Sequence, residues 1–243
     1  MSAPRLLGEL TTDEVRALLA RPPTAVLVPV GSVEPHGPHL PLSTDTRIGE
    51  VAALRACAAL TARGIASVVA PSVAYGVTDF AEGFAGAVSV PADVLTALLR
   101  AITTRLRADG WTHVCLVSNH LEPAHDAAVR AAITGIEGAT VASPLTRRWA
   151  RTLGEEFKRG DCHAGRYETS LVLAAGDRVS DERASLPPLH VSLADAIRDG
   201  KAGFRAIGMD RAYTGAPAEA SREEGEALYE KLVAMIVGEV TGS

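Results

Sequence analysis

The sequence predicts an α/β fold: a single-domain, three-layer α-β-α arrangement around a mostly parallel central sheet. Three observations predict it. Short apolar, β-branched runs alternate with longer Ala/Leu/Arg stretches of helical period, the pattern of parallel strands joined by crossover helices. The 243 residues suit one large α/β unit, and no repeat, low-complexity tract or Pro/Gly/Ser-rich linker divides residues 1–243. Hydrophobic residues make up 47%, charged residues 22% and aromatic residues only 4%, so the core is one of Ala, Val and Leu.

Taken in order, the first element is a helix over Asp13–Ala20, which Thr11 or Thr12 can cap. A strand follows at Ala25–Val30, then a helix over Thr46–Arg63 that Gly64 stops. The strand Ala66–Ala70 comes next. Pro91 stands where the helix Ala92–Asp109 begins, and Gly110 ends it. The strand His113–Ser118, the helix Pro123–Gly135 and the strand Thr140–Ala142 continue the alternation, and a last helix covers Glu219–Val237.

A formal net charge of −5 gives no broad cationic field, so neither nucleic acid nor an anionic membrane surface is an expected partner. Cys57, Cys115 and Cys162 form no disulfide framework and no Cys-x-x-Cys knuckle, which points to reduced thiols and a cytoplasmic location. Glu9, Asp13 and Glu14 interrupt the N-terminal apolar residues, against a signal peptide. No apolar run approaches the ~20 residues that span a bilayer.

Two segments behind predicted strands carry the chemistry, at the strand ends where such sheets place ligands. The first, Val30-Gly-Ser-Val-Glu34-Pro-His36-Gly-Pro-His39-Leu-Pro-Leu-Ser-Thr-Asp45, concentrates imidazoles and carboxylates. Glu34 and His36 are two apart and point the same way in extended backbone, and Asp45 can fold back to meet them. The second, Ser118-Asn-His120-Leu-Glu122, repeats the spacing with His first. A lone His is more often a hydrogen-bonded loop residue. Two such pairs together make a metal set of Glu34, His36, Asp45, His120 and Glu122, which suits Zn²⁺, Mn²⁺ or Fe²⁺.

The stretch from Gly31 to Asp45 resembles the signature loop of the creatininase (creatinine amidohydrolase) family. The likeness continues through Ala74-Tyr75-Gly76 with Phe84-Ala-Gly86, through Asp161-Cys-His163-Ala-Gly165-Arg-Tyr-Glu168-Thr-Ser170, and through Gly215-Ala-Pro217, nearly the whole chain. Where many members read Asn-Gly-His and Gly-Gly, this chain has Ser118-Asn119-His120 and Leu121-Glu122. Between Tyr75 and Phe84, where many place a His, it has Ala81.

The resemblance implies a creatininase-like fold and a metal-dependent amidohydrolase acting on an amide-like C–N bond of a cyclic amide, formamide or short peptide. It implies two divalent ions per chain, Zn²⁺ first and Mn²⁺ or Fe²⁺ otherwise, with Asp45 bridging. His163 is the implied acid/base, with Glu122 able to shuttle protons if only one ion binds. Substrate contacts are expected from Tyr75, Asp161 and Glu168, and from Thr78 and Asp79, which could address a substrate hydroxyl or amine. Glu168 has two further readings, a carboxylate behind the ligands or a helix cap. A homo-oligomer, commonly a hexamer, is also implied. The alternative function is a catalytically silent structural or regulatory relative.

Overall fold

The computed structural model describes residues 5–201 and 203–243; residues 1–4 and Ala202, which the single-domain expectation also covers, lie outside the described residues. Five parallel strands form the sheet: β1 (Arg5–Leu6), β2 (Thr24–Val30), β3 (Ala66–Val69), β4 (His113–Ser118) and β5 (Ala139–Ala142), in the order β1-β3-β2-β4-β5. β2 is buried along its whole length. Its neighbours pair in register, Leu27 opposite Val69 on one side and Cys115 on the other.

Strand side chains alternate between two cores, as the two-residue period requires. Leu27, Val69, Cys115 and Val117 enter a core with α2 (Thr44–Ala62), α7 (Arg166–Ala175) and α9 (Arg222–Thr241). Val26, Val28, Val68, Val114 and Leu116 enter the opposite core, with α1 (Thr12–Leu19), α3 (Ala92–Ala108) and α4 (Pro123–Ile133). Helices therefore cover both faces, giving the expected three layers.

The remaining helices are short: α5 (Arg147–Ala150), α6 (Glu155–Arg159) and α8 (Leu193–Arg198). Among the described residues no helix is long and apolar enough to cross a membrane.

Several boundaries differ from the sequence reading for identifiable reasons. α2 starts at Thr44, so Asp45 sits in its first turn, where a carboxylate meets the positive end of the helix. α4 stops at Ile133, since Thr134 is extended and Gly135 left-handed. α9 begins at Arg222 because Pro217–Glu219 forms a separate 3-10 turn and Ser221 caps, accepting the Glu224 N–H at 3.1 Å. At α1, Thr11 is the cap, with Glu14 closing a capping box.

The topology places the site. β2 and β4 are adjacent, yet β2 sends its chain to α2 on one face and β4 sends its chain to α4 on the other. Between loops that diverge this way lies the crevice in which open parallel sheets hold ligands.

Candidate metal centre

The loop behind β2 can pass close to α2 because Gly31 has no side chain; a Cβ there would lie 2.5 Å from the Thr46 backbone nitrogen. Gly76 is equally tight, its Cβ position being 2.5 Å from His125 Nδ1 and 2.6 Å from the Gly31 carbonyl. These two close approaches draw the β2 loop, the start of α2 and the segment after β3 around the end of β4.

Three imidazoles point into the crevice, each held by a backbone carbonyl. His36 Nδ1 donates to Glu34 O at 3.1 Å, His120 Nε2 to Val77 O at 2.7 Å, and His163 Nε2 to Pro35 O at 3.0 Å. The other ring nitrogen of each is thereby left facing carboxylates. His36 Nε2 is 3.2 Å from Asp45 Oδ1 and 3.5 Å from Glu168 Oε2. His120 Nδ1 is 3.1 Å from Asp45 Oδ2 and 3.3 Å from Glu34 Oε1. His163 Nδ1 is 3.6 Å from Glu34 Oε1.

Asp45 thus presents one oxygen to each of two histidines, and Ser32 donates to its Oδ2 at 2.6 Å. Glu122 completes a second triad with Glu34 and His120, its carboxylate accepting the N–H groups of Asp79 (3.1 Å) and Phe80 (3.3 Å). The donors fall into overlapping sets: His36, Asp45 and Glu168; Glu34, His120 and Glu122; and Glu34, His36 and His163.

Four buried carboxylates so close together repel one another unless cations or protons intervene. Among the described residues no Lys or Arg hydrogen-bonds or ion-pairs with Glu34, Asp45, Glu122 or Glu168. Burial pushes the Glu168 carboxyl up to about 8 and that of Glu122 to about 7. Burial opposes charging His36, but Asp45 and Glu168 prevail and raise it to about 10; Glu34 and Asp45 likewise raise His120 against its burial. His163 goes the other way, to about 4, through burial and the neighbouring His36. Two divalent cations would balance four carboxylates, and tethered imidazoles with inward lone pairs are what metal ligation requires. The residues fit the metal.

All five expected ligands meet here, and Glu168 joins them. The sequence offered Glu168 as a substrate contact, a carboxylate behind the ligands or a helix cap; α7 turns its carboxylate onto His36, where it also accepts the Ala164 N–H at 2.7 Å. Of the other expected substrate contacts, Thr78 reaches a carboxylate of the centre with its side chain, the hydroxyl donating to Glu34 Oε2. Tyr75 is 54% exposed, outside the cleft wall. The Asp79 side chain is exposed and accepts from Ser89 at 2.6 Å. Asp161 pairs with His190 Nδ1 at 2.8 Å. His39 ties the signature loop to α7 through Thr169 at 2.9 Å, and His125 accepts the Val77 N–H at 3.3 Å.

A cleft opens onto Glu34, His120, Glu122 and His163. Its remaining walls are Phe80, Leu121, Pro123, Leu193 and Phe204, and the Phe204 ring stacks 4.5 Å from that of His163. Sequence reasoning missed these walls. Leu121 and Pro123 flank Glu122, but Phe80, Leu193 and Phe204 come from distant stretches, where single side chains carry no motif.

Comparison with known proteins shows the family and the fold. A family model described as creatinine amidohydrolase (creatininase) matches residues 8–240. A mycofactocin precursor peptide peptidase of Mycolicibacterium smegmatis is 34% identical over 236 residues, covering 95% of this chain and 88% of the relative. The creatinine amidohydrolase of Pseudomonas putida is 28% identical over 262 residues, covering 96% and 95%. Among solved structures, a creatinine amidohydrolase superposes with a TM-score of 0.76 at 24% identity, covering 99% of this chain and 98% of that one. A Mn form of creatininase superposes at 0.75 and 23% identity, covering 98% of each chain.

Proposed function

The chain belongs to the creatininase family of metal-dependent C–N hydrolases, and from that premise we propose that it hydrolyses an amide bond with an apolar flank, in a short peptide first. One observation carries the chemistry: three imidazoles, each pinned by a backbone carbonyl, aim their other nitrogens at three buried carboxylates, Glu34, Asp45 and Glu168. The substrate class rests on the apolar walls Phe80, Leu121, Pro123, Leu193 and Phe204, and on the relatives named as peptide peptidases.

Glu34, His36, Asp45, His120, Glu122 and Glu168 would hold two divalent ions, Zn²⁺ or Mn²⁺. When bound, such ions polarise a carbonyl and acidify water. The chain supplies the rest. The apolar walls orient the substrate and exclude bulk water beside the carboxylates. His163, neutral at pH 7 and with Nε2 committed to Pro35, takes a proton from the attacking water on Nδ1 and returns it to the departing nitrogen. Glu122, lining the same cleft, is the group able to hold that proton if only one ion binds.

The test is amine release from short peptides with apolar residues, from creatinine and from a formamide, using protein stripped by chelation and reloaded with Zn²⁺ or Mn²⁺. Metal-dependent cleavage of the peptides ahead of the other two supports the reading. No turnover of any of the three by reloaded protein sinks it.

A further inference from the structure

The helix that brings Glu168 to the centre has no cap of its own. α7 starts behind Gly165, which has no side chain to accept the free N–H groups of the first turn. An acceptor arrives from α6. Glu156, only 8% exposed, accepts the Tyr167 N–H on Oε1 at 3.1 Å and the Ala216 N–H on Oε2 at 3.0 Å.

Two glycines make room for it. A Cβ on Gly165 would lie 2.2 Å from Glu156 Oε1, and one on Gly215 would lie 2.5 Å from Glu156 Cδ. Among the described residues no Lys or Arg pairs with this carboxylate, so its partners are backbone dipoles, including the positive end of α7.

Both links lead to the metal centre. Tyr167 precedes Glu168. Two residues before Ala216, the Thr214 N–H donates to the His163 carbonyl at 2.9 Å. Between His163 and Gly165, Ala164 has a left-handed backbone (φ 50°), which a non-glycine residue keeps only when its surroundings impose it.

We propose that Glu156 is a positioning residue: it caps α7 from outside the helix and clamps it to the Thr214–Ala216 segment, so that Glu168 and His163 keep their places. This rests on the roles given above to Glu168 and His163, but its first readout does not.

Glu156→Gln keeps the shape and replaces one acceptor oxygen with an amide donor. The Tyr167 and Ala216 amides should then exchange with deuterated water about tenfold faster or more, while α2 and α9 amides keep their wild-type rates. Zn²⁺ affinity, measured by calorimetry, should fall about tenfold or more, the usual size of an effect one layer behind the ligands. With an active substrate, kcat should fall more than KM rises. Glu156→Asp keeps the carboxyl group but is a methylene short of spanning both amides, and should lie between. Uniformly faster exchange in all helices, or wild-type Zn²⁺ affinity and kcat, would overturn the proposal, as would failure of both variants to fold. If wild-type protein binds Zn²⁺ yet hydrolyses nothing, the proposed function fails while the exchange and affinity tests stand.

Discussion

Asp45 is the carboxylate that links two of the three histidines, since its two oxygens face His36 and His120 separately. Asp45→Ala should halve metal per chain or worse, by elemental analysis, and lower turnover at least about 100-fold. Full metal content in that variant would remove Asp45 from the centre. His163 is different. It meets the carboxylates only at 3.6 Å and stacks between His36 and Phe204, an arrangement suited to moving protons. His163→Gln should keep its metal and lose about 10²–10⁴ in kcat, as expected for a missing acid/base; surviving turnover would show that His163 does not carry the proton. At this scale the sequence showed Glu34, His36, Asp45, His120 and Glu122 because two short strand-end stretches hold them all. Glu168 was visible only as part of a resemblance. Its place beside His36 depends on how α7 crosses α2, which no local spacing encodes.

Among the elements, the approach of α2 to the end of β2 decides where Asp45 stands. Gly31→Ala would place a methyl against the backbone nitrogen and Cα of Thr46, at 2.5 and 2.6 Å, and backbone cannot step aside as a side chain can. The expected cost is about 1–3 kcal/mol, or roughly 2–4 °C in Tm per kcal/mol for a chain of this size. Metal affinity should fall with it, because the first turn of α2 must retreat. A variant as stable as the parent, with unchanged metal content, would show that the contact relaxes freely. The strands and long helices were readable because periodicity and capping agree there: β4 runs over His113–Ser118, and α1 carries its Thr11 cap. The two-residue strand β1 is too short to show a period. The irregular chain from Ser143 to Ser221 was legible only near its motifs, since its short helices are fixed by buried carboxylates and positive-φ glycines such as Gly160 and Gly176.

For the molecule as a whole, the sheet topology builds a charged, buried centre whose protonation is linked to folding and to metal. In the metal-free chain His36 is raised to about 10 from 6.5, and Glu168 to about 8 from 4.5. His36 contributes stability that is complete below pH 6.5 and is lost as pH rises towards 10. Glu168 is held protonated in the folded chain, so its contribution also declines with rising pH, from 4.5 through about 8. The depressed histidines His39, His125 and His163 act below pH 6.5, where unfolded imidazole takes up protons, and leave higher pH unaffected. Between pH 6.5 and 8 the metal-free protein should therefore lose stability steadily. Metal binds the opposite forms, neutral imidazole and ionised carboxylate, so the gap in Tm between loaded and metal-free protein should widen over that range. The same linkage makes metal uptake at pH 7 release about two protons per chain or more, from His36, His120 and Glu168. Titration calorimetry in buffers of different ionisation enthalpy reads that number directly. A value near zero would mean that the imidazoles are already neutral before metal arrives, and that the four carboxylates are balanced in some other way.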